Sequence, residues 1–273
     1  MPPTVPNLDP DDVARRLGLI AVEAGRGLAA VRDRCAGQRA KDDGSPTTAA
    51  DLESERLILA RLEQAWPAIP VVAEESAEAG PPGELFFLVD PLDGTRDYVT
   101  GAGEYSVNIA LISGRRPIAS ALAAPSDGRV WIAGSVTRVG RIPPNDDAID
   151  WTPARVRAAP PSGLVALVSR RHGDDATEAC LAALPVGERR TASSAYKFGL
   201  IASGEADVYV RCGPTMEWDT AAGDHIVTMA GGIVAGSDRS PLAYGRNDRG
   251  FLNGPFAALG DPGIAARLDL PQP

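Results

Sequence analysis

The stretch Leu85-Phe86-Phe87-Leu88-Val89-Asp90-Pro91-Leu92-Asp93-Gly94-Thr95-Arg96-Asp97-Tyr98 sets two aspartates three residues apart, directly after an apolar run. Carboxylates crowded in this way repel one another, and a divalent cation between them removes that cost. An all-oxygen ligand set suits hard cations, so Mg2+ is the first expectation, with Mn2+ or Ca2+ behind it. Gly94 lets the backbone approach a ligand closely, and the N–H groups of Gly94 and Thr95 can face an anion if a helix begins there. Cation-binding carboxylates beside an anion cradle are the components of phosphate chemistry. The same residues also make a plain Asp-Pro-x-Asp-Gly turn capping a helix, and the segment alone does not separate the two.

These side chains need elements to position them. The run Leu85 to Val89 is too short for a helix and does not alternate, so it reads as a buried strand that ends at Asp90 and Pro91. Ile69 to Ala73 repeats the arrangement, a short strand delivering Glu74 and Glu75; the ordinary alternative is a solvated charge pair. Thr47 to Glu55 leads into a helix carried by Leu57, Ile58, Leu62 and Trp66, with Asp51 as a carboxylate favoured by the helix dipole. An earlier helix from Asp11, with Val13, Leu17, Ile20 and Leu28 on one face, is for packing only. Residues 77–84 form a Gly/Pro-rich loop placed to gate a site. Three strands in a meander follow, Tyr105 to Ile112, Ile118 to Ala124 and Arg129 to Ala133, then a Pro- and Asp-rich connector over residues 140–162. Beyond it, Leu164 to Val168 and Asp207 to Arg211 read as strands, with helices after the first and from Thr191 to Lys197 onward. Asp219 opens a helix Thr220 to Ala230, where its simplest use is an N-cap. Strand–helix alternation makes the second half α/β with parallel pairing. The expected domains are 1–155, carrying Asp51, Glu74 and the Asp-Pro-Leu-Asp-Gly-Thr motif, and 156–273, carrying Asp219.

Asp90-Pro91-Leu92-Asp93-Gly94-Thr95, the upstream pair Glu74-Glu75 and the downstream Trp218-Asp219-Thr220-Ala221-Ala222-Gly223 together resemble the inositol monophosphatase superfamily, in its order, over roughly residues 40–256. The resemblance implies a layered αβαβα sandwich of the α+β or α/β class, with the metal site at the junction of two subdomains. It implies Mg2+-dependent, Li+-sensitive hydrolysis of a phosphate ester. Glu74, Asp90 and the Leu92 carbonyl would hold one Mg2+; Asp90, Asp93 and Asp219 a second; a third, looser ion would lie near Glu74. Thr95, hydrogen-bonded to Asp51, would orient and deprotonate the attacking water. Glu104 to Leu111, Ser169-Arg170-Arg171-His172, Ser193 to Phe198 and Arg211 to Thr215 are similar to the 3'(2'),5'-bisphosphate nucleotidase branch, whose members act on 3'-phosphoadenosine 5'-phosphate and in some cases its sulfated precursor. On that likeness His172, Ser194, Lys197 and Arg211 join Glu74, Asp93, Gly94, Thr95 and Asp219 around substrate. Taken alone, His172, Lys197 and Arg211 read equally as solvated surface groups. Inositol monophosphatase and fructose-1,6-bisphosphatase remain alternatives within the superfamily, and a non-catalytic cation- or phosphate-binding protein is the alternative outside enzymes. A pure binder has no use for Thr95 and Asp51 together.

The 273 residues suffice for one large or two modest domains with a sizeable core. A net charge of −9 argues against a nucleic-acid polymer or an anionic membrane as partner. Positive charge for a small anionic substrate must then be local. Cys35, Cys180 and Cys212 give neither a disulfide framework nor a zinc spacing, which points to a reducing compartment. With no leader and no membrane-length apolar run, the expectation is a cytoplasmic protein, and the nucleotidase resemblance implies a role in sulfur assimilation, with a homodimer possible.

Overall fold

The helical spacing of Val13, Leu17, Ala21, Ala24 and Leu28 closes into α1 (Pro10–Cys35), all five residues buried on one face. This computed structural model describes residues 8–35, 49–77, 82–101, 103–145, 148–170 and 173–272. After α1 come α2 (Ala49–Ala65), β1 (Val71–Ala73), β2 (Leu85–Asp93), α3 (Thr95–Thr100), β3 (Ser106–Ser113), β4 (Arg116–Ala124), β5 (Arg129–Ala133), β6 (Thr137–Arg141) and β7 (Thr152–Pro153). The second half holds β8 (Leu164–Ser169), α4 (Asp175–Ala182), β9 (Val186–Ala192), α5 (Tyr196–Ala202), β10 (Val208–Arg211), β11 (Thr215–Met216), α6 (Glu217–Met229), β12 (Ile233–Gly236), β13 (Leu252–Asn253) and β14 (Phe256–Leu259).

The strands β1 to β7 form one sheet in sequence order, antiparallel except for the parallel β1–β2 pair. A second sheet runs β12-β14-β10-β8-β9. It is mixed rather than parallel throughout: β8 pairs in parallel with β9 and β10, whereas β14 is antiparallel to β10 and β12. Helices α1 and α2 cover one face of the large sheet, and α5 and α6 lie between the sheets. Helix α4 and the turn at residues 262–267 cover the outer face of the second sheet. The layers are therefore αβαβα.

Layering explains why β2 does not alternate. Phe87 and Val89 enter the core under α1 and α2, while Phe86 and Leu88 enter the core under α6 with Trp218 and Phe251. A strand covered on both faces has no polar side.

Three expectations are corrected. First, β2 does not stop at Asp90. It continues to Asp93 through an irregularity between the Asp90–Asn108 and Asp93–Ser106 pairs. Pro91 is tolerated because β1 ends opposite Val89, so no neighbour on that side needs its missing N–H. Second, the connector expected over 140–162 starts later and carries a strand of its own, since β6 reaches Arg141 and β7 adds an edge. Third, Thr191 and Ala192 do not open a helix; they end strand β9.

Candidate active site

Each acidic residue reaches the site from the end of an element. β1 ends at Ala73 and delivers Glu74 into a short 3-10 turn; β2, beside it, delivers Asp90 and Asp93. The chain then reverses at Gly94, whose φ of +92° is left-handed. A Cβ there would lie 3.1 Å from the Glu104 carbonyl oxygen and 3.4 Å from the Ser194 Cβ, so both space and conformation call for glycine. Helix α3 starts at Thr95. Asp51, in the first turn of α2, is buried and accepts a hydrogen bond of 3.0 Å from the Thr95 hydroxyl. That hydroxyl also lies 3.2 Å from the Leu92 carbonyl.

Asp219 corrects the N-cap expectation. Helix α6 begins at Glu217, and Asp219, two residues in, reaches back to accept the Met216 N–H at 2.8 Å. This holds its carboxylate at the positive end of the helix, facing the residues from β2.

The electrostatics are those of an overcrowded acid cluster. Lost hydration, then the charges of Glu74, Asp93 and Asp219, hold the buried Asp90 carboxyl well above the usual range. Asp219 is also well raised, by lost hydration and then by Asp93. Glu74 sits at the rim with a solvent-exposed flank, yet the protein packed around its carboxyl, followed by Asp93 and Glu75, pushes it up to about 7. Glu74 and Asp90 are close enough to hydrogen-bond to each other. Among the described residues no three His, Cys, Asp or Glu side chains are grouped so that they could hold a metal ion as they stand. What fits a cation is the donor set: four mutually repelling carboxylates and the Leu92 carbonyl, all oxygen, with the buried Asn108 Oδ1 beside them unpartnered. Hard divalent cations match such donors, and the charge excess calls for them.

The opposite wall comes from the second sheet. Ser193, Ser194, Ala195 and Lys197 around the start of α5, with Tyr209 and Arg211 on β10, line the same cleft of about 380 Å3 as Glu74, Asp93, Thr95 and Asp219. The Ala195 N–H donates to the Asp93 carboxylate, tying the two walls together. Lys197 is buried, donates to the Ser194 carbonyl at 2.8 Å and lies 4.7 Å above the Tyr209 ring centroid. Burial brings its ammonium down to about 8, while the Asp93 charge acts against that fall. The Arg211 guanidinium is aimed by the Gly213 and Pro214 carbonyls at 3.2 and 3.1 Å. Ser194 has a left-handed φ of +56° and accepts from the Ser106 hydroxyl at 3.3 Å. Of the expected site residues, His172 lies outside the described residues, as do residues 78–81 of the proposed gating loop. The others line or border one cleft.

Supporting residues were not anticipated. Ser54 donates to the Pro91 carbonyl at 2.8 Å, Glu55 accepts the Glu75 N–H at 2.9 Å, and Glu104 accepts the Ser193 N–H at 3.1 Å. Glu55 lies one helical turn after Asp51 on the same face, and that spacing was a readable signal.

The family model for the inositol monophosphatase family matches residues 12–267. The chain belongs to this family. The 3'(2'),5'-bisphosphate nucleotidase CysQ of Escherichia coli K12 is 36% identical over 233 residues, covering 79% of this chain and 86% of the relative. Its Haemophilus influenzae counterpart is 29% identical over 255 residues, 89% of this chain and 91% of the relative. The crystal structure of CysQ from Bacteroides thetaiotaomicron, a bacterial member of the family, superposes with a TM-score of 0.78 at 30% identity, covering 91% of this chain and 97% of that one. The family thus supplies metal-dependent phosphatase chemistry, and the acid cluster here has the donors for it.

Proposed function

We propose that the chain is a Mg2+-dependent phosphatase that removes the 3'-phosphate of 3'-phosphoadenosine 5'-phosphate, and of its sulfated form, leaving the 5'-substituted nucleotide and phosphate. Glu74, Asp90 and the Leu92 carbonyl would hold one Mg2+, Asp90, Asp93 and Asp219 would hold a second, and a third, looser ion would lie near Glu74. Bound there, the ions would supply positive charge to the phosphoryl group and lower the pKa of the attacking water. The observation that carries the reading is the Thr95–Asp51 hydrogen bond at the edge of the carboxylate cluster. With its own proton directed to Asp51, the Thr95 oxygen is free to accept one from water, aligning that water and moving its proton toward the carboxylate. The N–H groups of Gly94 and Thr95, at the start of α3, would be donors to the departing phosphate. Lys197 and Arg211, with Ser194 and His172, take the second phosphate, a task for cations in an otherwise acidic cleft.

The test is phosphate release in Mg2+ from 3'-phosphoadenosine 5'-phosphate, inositol 1-phosphate and fructose 1,6-bisphosphate under identical conditions. A catalytic efficiency about a hundredfold higher for the nucleotide, roughly 2.7 kcal/mol of discrimination, supports the reading. Equal rates on all three would discard the nucleotide assignment and keep the phosphatase. Li+ in the same assay is expected to inhibit.

A further inference from the structure

A second cleft, of about 430 Å3, shares no lining residue with the first. It is bounded by the β3–β4 turn, the loop after β12, the loop before β13 and Gln272. Three arginines line it: Arg115 from the turn, and Arg246 and Arg249 from the loop before β13. In a protein of net charge −9, cations grouped in this way would ordinarily be paired. Arg116, the neighbour of Arg115, is paired: it grips the buried Asp224 carboxylate with two bonds of 2.8 and 3.1 Å. Arg115, Arg246 and Arg249 are neither hydrogen-bonded nor ion-paired through their guanidinium groups among the described residues.

The nearby carboxylates are already engaged. Asp238, which lines the cleft, accepts the N–H and hydroxyl of Ser240 at 2.9 and 2.6 Å. Glu217, buried in the first turn of α6, accepts the backbone N–H groups of Gly245 and Arg246, the latter at 2.9 Å. The lining carries three cations against Asp238, and the Glu217 carboxylate behind it also attracts Arg246 and Arg115, which leaves a local balance of +1 (3 − 2). The segment is also held in place, since the Tyr244 N–H donates to the Arg115 carbonyl at 3.1 Å. Guanidinium forks pair with phosphate and sulfate oxygens through two parallel bonds, and mutual repulsion among three of them is relieved by a multiply charged anion. The cleft is larger than a bare ion requires, and the exposed Gln272 at its rim offers a polar contact to an attached body.

We infer that this second cleft binds a small, multiply charged oxyanion, a diphosphate-type group either free or esterified, at a site separate from the acid cluster. The test is phenylglyoxal labelling of the Mg2+-loaded protein, read by peptide mass mapping, with inorganic pyrophosphate or a nucleoside 5'-diphosphate as protecting probe. Pyrophosphate should slow labelling of Arg115 and Arg249 about tenfold while exposed Arg56 labels as before. Protection at lower concentration by the nucleoside diphosphate would identify an ester as the ligand; protection by pyrophosphate at equal or lower concentration would identify the free anion. No slowing by either probe overturns the site. Independently, Arg115→Gln with Arg249→Gln should remove one class of pyrophosphate binding in equilibrium dialysis and leave substrate turnover unchanged. Undiminished binding in that double variant also overturns it.

Discussion

Thr95 is the residue on which chemistry and mere cation binding part company. Its hydroxyl lies within hydrogen-bond reach of Asp51 and of the Leu92 carbonyl. In the proposed mechanism, replacing it with alanine removes a proton acceptor for water, and it removes little packing. Thr95→Ala is therefore expected to lower kcat about a hundredfold or more, with a change in unfolding free energy of only about 1 kcal/mol. Thr95→Ser should recover most of the rate, because it restores the oxygen. Steady-state kinetics beside denaturant titration checks both, and a Thr95→Ala protein as fast as wild type would remove the residue from the mechanism. Thr95 and Asp51 could be paired from sequence only through the family resemblance: they are 44 positions apart, and nothing local says that the start of α2 meets the start of α3.

At the scale of elements, α6 has the most to position. It carries Asp219 near its start and is wedged between the two sheets. Gly223 lies against α5: a Cβ there would fall 2.3 Å from the Phe198 ring and 2.8 Å from the Phe198 Cβ, neither of which can swing away cheaply. Gly223→Ala would gain helix propensity but overpack this contact, so a net loss of about 1–2 kcal/mol is expected, read as a lower Tm. A drop in kcat should accompany it as Asp219 shifts.

His225, on the same helix, sits against the large sheet. Its ring Nδ1 is 3.1 Å from the Ser120 hydroxyl and its ring also bonds the Ala133 backbone, and it lies 4% exposed. Burial, then the Arg116 charge, brings its pKa down to about 4 against a bonding contribution that raises it. The unfolded chain therefore binds this proton first as pH falls. Stability from a neutral His225 is intact above about 6.5 and is lost between there and about 4, by about 3 kcal/mol at most. Chemical denaturation at stepped pH should show that slope in wild type. His225→Gln should flatten it by about this amount, and an unchanged slope would refute the assignment.

For the whole molecule, the cluster draws Glu74, Asp90 and Asp93 from one sheet and Asp219 from the helix between the sheets, while the facing wall comes from β10 and α5. A cation bound there joins segments that are distant in the chain. Mg2+ is therefore expected to raise Tm in proportion to the logarithm of its concentration, by about 2.7 kcal/mol of added stability at a hundred times its Kd, and chelation should reverse the shift. Asp219→Asn should weaken the effect, and a Tm indifferent to Mg2+ in wild type would count against cation binding at the cluster. No helix among the described residues is long and apolar enough to cross a membrane.

What the sequence determined by itself is what short-range forces decide. Apolar spacing marked α1 and α2, and the run Leu85 to Val89 marked β2. Two strand ends followed by carboxylates marked Glu74, Asp90 and Asp93, because burying a strand and presenting acids at its tip are local acts. The tertiary structure alone decided the rest. Strand β9 is an edge whose Glu188, Arg189 and Arg190 face solvent, so its pairing with β8 leaves no apolar pattern to read. Strands β6 and β7 likewise exist through their neighbours, not through their own composition. Lys197, which the sequence alone left open between a solvated charge and a substrate contact, is buried over Tyr209, facing Asp93 from the other sheet. The field that shifts the titration of these acids and bases arises only where segments distant in sequence exclude water together.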